Sequence, residues 1–126
     1  MKLYNKKDFL KLPEGTVYFD KPEIDGQDCL WVGNLHIKGE SIKDFDFFHS
    51  NINSPWFKNC DDSNDQVALW NKVFSGEDVD LDFDSYNRDG MYDDDDQYYV
   101  LNKNEVKEII KVLTEAYDMA YKNRGI

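Results

Sequence analysis

Aspartate recurs at every second position from 78 to 84, where Asp78, Asp80, Asp82 and Asp84 alternate with Val79, Leu81 and Phe83; four more, Asp93, Asp94, Asp95 and Asp96, then stand in a row. On an extended strand, alternate residues share a face at roughly 6.6–6.8 Å spacing. Carboxylates repeated at that spacing imitate a run of phosphates. Aspartate is disfavoured in strands and neighbouring like charges repel, so folding alone does not select such a row. A plainer use is an acidic face that keeps the protein soluble, or a charged edge strand that resists sheet-to-sheet association. With Tyr86, Asp89 and Tyr92 interleaved, the segment is a candidate partner-binding surface.

Oxygen donors at Ser85, Asn87, Asp89, Asp93 and Asp96, with Gly90 at the turn, also fall at positions one, three, five, nine, twelve and six of a calcium loop of EF-hand type. The match departs from that pattern in three ways. Position one is Ser, position twelve is Asp, and the preceding segment reads as strand where an EF-hand needs a helix. Two or three carboxylates suffice for a hydrolytic metal site, but no set stands out. Only two histidines, His36 and His49, are present, with no nucleophile motif, phosphate loop or HExxH. The chain reads as a binding protein rather than an enzyme, with no cofactor required. Cys29 and Cys60 read as reduced, structural thiols, and a site joining them to His36 and His49 matches none of the close-paired zinc spacings.

Charge separates the chain sharply. Residues 61–96 hold thirteen acids against two bases, Lys72 and Arg88, and so carry the whole net charge of −11; the other ninety residues balance, thirteen against thirteen. Direct binding to nucleic acid or to an anionic membrane needs the opposite sign. The 126 residues suffice for one domain spanning 1–126, with the acidic segment inside it. No apolar run reaches eighteen residues and the first residues lack a secretory pattern, which predicts a soluble, cytoplasmic protein.

The elements that must position these groups follow from caps and periodicity. Asn5 caps a short helix over 6–12, with Tyr4 placed to staple Phe9, before Pro13 and Gly15 end it. Residues 16–19 and 29–38 favour strands joined as a hairpin, and the alternation at 44–48 suggests a third. Ser63 and Gln66 make a capping box for a helix over 64–75, with an apolar face of Val67, Trp70 and Phe74 and with Gly76 as stop. Residues 78–84 read as a strand with Val79, Leu81 and Phe83 inward, 87–96 as loop, and 97–101 as strand. Asn102 and Glu105 then box the last helix, whose stripe of Val106, Ile109, Ile110, Leu113, Ala116 and Ala120 reads as core. The predicted class is α+β: a small antiparallel sheet covered by helices, with a long C-terminal helix.

Aromatics exceed what one small core needs. Trp56 and Phe57, beside a proline loop, join Tyr86 and Tyr92 as candidate exposed anchors for a partner, a second copy included. Lys103, Lys107 and Lys111 form a basic stripe that could answer the acidic surface of that copy.

Three segments together resemble a family of small bacteriophage and prophage proteins: Asp8-Phe9-Leu10 with Leu12-Pro13-Glu14-Gly15-Thr16, the stretch Gly33 to Ser41, and Arg88-Asp89-Gly90-Met91-Tyr92-Asp93. The resemblance implies interference with host defence, by binding an effector protein or by sequestering a signalling nucleotide. The acidic segment fits the first route: an inhibitor that engages a nucleic-acid-handling or defence protein in the host cytoplasm through a DNA-mimic-like surface. The alternatives are a sponge for a cyclic or ADP-ribose-type nucleotide, and a calcium or carboxylate-metal module.

Overall fold

The protein, described here from a computed structural model over residues 1–20, 33–88 and 95–124, is α+β. In chain order the elements are β1 (Lys2–Asn5), α1 (Lys6–Phe9), β2 (Val17–Phe19), β3 (Leu35–Ile42), β4 (Asp46–Asn51), β5 (Trp56–Phe57), α2 (Ser63–Phe74), β6 (Leu81–Asp82), β7 (Asn87–Arg88), β8 (Gln97–Val100) and α3 (Lys103–Ala120). Six strands form one antiparallel sheet in the order β1-β8-β2-β3-β4-β7, and β5 and β6 form a separate ribbon.

One aromatic plug holds the large sheet. Asn5 caps α1 by accepting from the Asp8 amide at 2.8 Å, as its type predicts. That cap aims Phe9 at the sheet, where it stacks on Tyr98 with centroids 4.1 Å apart and meets the edges of Tyr18 and Phe47 at 4.8 and 5.1 Å. All four rings are buried. α1 stops at Phe9 instead of running to residue 12: beyond it the backbone tightens into three-residue turns, with the Lys11 amide donating to the Asp8 carbonyl at 3.2 Å and the Leu12 amide to the Phe9 carbonyl at 3.0 Å. Gly15, at φ +91°, then turns the chain into β2.

The hairpin of β2 and β3 forms in the register Tyr18 to His36; its connection, residues 21–32 with Cys29 and Trp31, lies outside the described residues. At its described end, a Cβ on Gly33 would meet the Asp20 carboxylate at 1.6 Å, so only glycine fits there. β1, which the sequence does not announce, pairs with β8 from Lys2 opposite Val100 to Asn5 opposite Gln97. β4 begins two residues later than expected, and it is buried on both sides. Phe47 joins the plug, while Asp46 on the other face is 1% exposed and ion-pairs with Arg88 at 2.6 Å.

The two long helices depart from expectation. Asp62, not Ser63, caps α2, accepting from the Asp65 amide at 2.9 Å. The capping box of α3 forms as read, with Asn102 accepting from the Glu105 amide at 2.8 Å and Glu105 accepting from the Asn102 amide at 3.0 Å. Glu105 also accepts from the N-terminal amine, and these bonds hold its carboxyl below the usual range. The apolar stripe of α3 is not core, however. Val106 and Ile109 are half-buried, but Ile110 and Leu113 are exposed, and no described element packs along the helix. Among the described residues, no helix is long and apolar enough to cross a membrane.

Candidate functional site

The acidic segment begins beside the ribbon. β5 and β6 pair Trp56 with Asp82 and Phe57 with Leu81, and the Lys58 amide donates to the Asp80 carbonyl at 3.0 Å. There the extended stretch ends: the Asp82 carboxylate accepts from the Asp84 amide at 2.9 Å, a local bond that competes with strand pairing. The expected strand over 78–84 is thus cut to Leu81–Asp82, and its two faces are not the ones predicted. Leu81 and Phe83 are exposed and Asp82 is partly covered, whereas Val79 is half-buried as read. Asp78 and Asp80 line a cleft of about 420 Å³ with Lys58, Asp65 and Lys72. With the strand cut to two residues and Asp82 alone partly covered, the four carboxylates form no regular ladder.

Aromatic side chains converge on this ribbon. Residues opposite one another in an antiparallel pair share a face, so Leu81 lies beside Phe57. Trp70 of α2 meets Phe57 edge-on at 5.1 Å, and Phe74 stacks on Trp70 at 5.7 Å. Phe57, expected as an exposed anchor, is buried and forms the base of this row, while Trp70 and Phe74 stand 45% and 79% exposed. The helical period identified Trp70 and Phe74 as part of an apolar face; the extent to which that face stands open to water is the feature that sequence reasoning missed. Trp56, half exposed on the other face of the ribbon, donates its indole N–H to the Cys60 carbonyl at 3.1 Å. Partial burial and the carboxylates of Asp65, Asp62 and Asp61 push the Cys60 thiol up, away from the reactive thiolate.

The remaining predicted residues lie elsewhere. Tyr86 packs over Gly39, whose Cβ would come within 3.0 Å of its ring, and lines a small cleft with Glu14 and Phe48. Ser85 is half-buried, and Asn87 sits in β7 opposite His49. Asp95 is exposed and Asp96 half-buried just before β8. β7 and β8 are separated by β2, β3 and β4, so the two ends of the loop spanning 89–96 attach roughly 19 Å apart at about 4.8 Å per strand. Asp89, Tyr92, Asp93 and Asp94 fall outside the described residues, as does Gly90, and with them most of the calcium loop. Among the described residues, no three His, Cys, Asp or Glu side chains gather in a way that could hold a metal ion.

A polar chain crosses the sheet that residue spacing did not reveal. His36 is buried, with Nε2 2.7 Å from the Asp20 carboxylate and Nδ1 3.1 Å from the Ser50 carbonyl. It stacks on His49 at 4.6 Å, and His49 Nδ1 lies 3.0 Å from the Tyr18 hydroxyl. Burial, then the neighbouring His36, lowers the His49 pKa to about 4 against the pull of Asp20 and Asp46, so its ring is neutral near pH 7. The two imidazoles meet face to face rather than through a hydrogen bond, which gives a proton no direct route between them. The chain ties β2, β3 and β4 together.

No family model matches the chain, and no curated protein or solved structure matches it.

Proposed function

We propose that this chain is a non-catalytic binding protein that engages a host nucleic-acid-handling or defence protein, with the exposed row on α2 as anchor and the acidic segment as guide. The phage or prophage setting rests on the resemblance of its short motifs. The observation that carries the reading is the pair Trp70 and Phe74, stacked together and open to water beside Leu81. Contiguous exposed aromatics mark interaction surfaces, and Trp is among the residue types that dominate binding energy. Their flank bears the acids of residues 61–84, so a partner with a basic rim and an apolar centre is the complement. A net charge of −11 speeds encounter with such a partner and repels acidic competitors. Charge density, rather than phosphate-like spacing, does the steering, since the carboxylates form no ladder. A non-catalytic role accords with a His36 engaged through both ring nitrogens, a neutral His49 bonded to Tyr18, and a thiol held protonated.

The test compares the wild-type chain with a variant carrying Trp70→Ser, Phe74→Ser, Asp78→Asn and Asp80→Asn, each immobilised and exposed to bacterial lysate at low and high salt. A protein held by the wild type, weakened by salt and lost by the variant is the expected result. Equal retention by both chains would reject the reading.

A further inference from the structure

One cleft of this acidic protein is lined mostly by lysine. Lys6, Lys7 and Lys11 from the α1 region meet Lys43 of the β3–β4 turn around a volume of about 640 Å³, within the size range of small-molecule sites. Ser41 and Asp44 also line it, and Asp44 is the one acid among the described lining residues. Those residues all lie between positions 6 and 44, outside the stretch that carries the net negative charge. Among the described residues none of Lys7, Lys11 and Lys43 is engaged in an ion pair, and all three are exposed.

Two further observations turn this cluster toward a ligand. Lys43 has φ +58°, a left-handed conformation that favours Gly or Asn. A lysine held there lines the cleft at a conformational cost that glycine would remove. Like charges gathered around one cleft repel one another unless an anion stands among them.

We infer that this cleft binds a small ligand bearing a diphosphate group. Several lysines suit a multiply charged phosphate better than a single carboxylate, since each ammonium offers a point charge and up to three donors. Among the described residues no aromatic ring lines the cleft, so these residues read the phosphates rather than an attached base. The inference is independent of the α2 surface and holds whether or not that surface binds a protein.

Calorimetric titration of the full chain with inorganic pyrophosphate, adenosine diphosphate and sulfate, at matched ionic strength, tests it. Pyrophosphate is expected to bind with one site per chain and sulfate at least about tenfold more weakly, the scale of one lost charge-assisted hydrogen bond. Equal affinity for the nucleotide marks the diphosphate as the whole determinant, and binding of pyrophosphate alone marks an inorganic ligand; both support the site. A variant with Lys7→Gln, Lys11→Gln and Lys43→Gly removes three charges at exposed positions and relaxes the turn. With an unchanged circular dichroism spectrum it should lose pyrophosphate binding. Retained binding in that variant, or pyrophosphate and sulfate binding alike in the wild type, overturns the inference.

Discussion

The large sheet and the α2–ribbon arm are built from similar aromatic-rich sequence and use it in opposite ways. In the sheet, Phe9, Tyr18, Phe47 and Tyr98 lock together and exclude water. In the arm, Phe57 is covered, while Trp70 and Phe74 continue the row outward without a lid. The difference lies in what surrounds each cluster. Rings from β2, β4 and β8 of the six-stranded sheet meet at Phe9, whereas the arm has one two-residue ribbon and a helix with no buried side chain. Burial is a property of the elements that meet, and a periodic apolar face only makes it available. The arm's open face is what the proposed binding role uses.

That contrast can be broken at its strongest point first. Replacing Phe9 by Ala removes the ring at the centre of the plug and should cost about 3–5 kcal/mol, the range for a buried aromatic lost from a packed core. Urea denaturation would read it as a collapse of the midpoint; a loss below 1 kcal/mol would show that the plug is not the core. Acid probes the polar side of the same sheet. His49 titrates at about 4 in the folded chain and near 6.5 when unfolded, so above 6.5 the ring is neutral in both states. Below that pH the unfolded chain takes up a proton that the folded one refuses. Stability should therefore fall between pH 7 and 5 by about 1 kcal/mol, discounted from the full linkage value because the ring keeps some contact with solvent. His49→Gln should flatten that slope, as measured by the urea midpoint at the two pH values. The smallest effect belongs to the arm: Phe74→Ser, at a ring 79% exposed, should change stability by no more than about 0.5 kcal/mol. A larger loss would mean that Phe74 supports the fold and that the arm is a second core.

Several local signals, in which a residue acts on its own backbone, were legible, although the cap of α2 fell on Asp62 rather than Ser63. Asn5 and Asn102 cap the helices predicted of them, Glu105 closes its box, and Gly76 takes positive φ at the end of α2. The site was legible in part. Charge counting located the acidic segment, and helical spacing picked out Trp70 and Phe74. The histidine chain was not, because His36 and His49 come together only through the pairing of β3 with β4. Nor was the lysine cleft, which joins residues from α1 to a turn more than thirty positions away.

Composition and spacing thus determined the α+β class, the N-caps of α1 and α3 and the confinement of net charge to residues 61–96, since these depend on neighbours along the chain. Tertiary structure alone decided that Arg88, one of the two bases in that acidic stretch, is drawn to Asp46, that the carboxylates of residues 78–84 form no ladder, and that the apolar stripes of α2 and α3 stay open to water. The reason is physical: a side chain's periodicity fixes the direction in which it points, but only the packing of distant segments settles whether anything lies there to meet it.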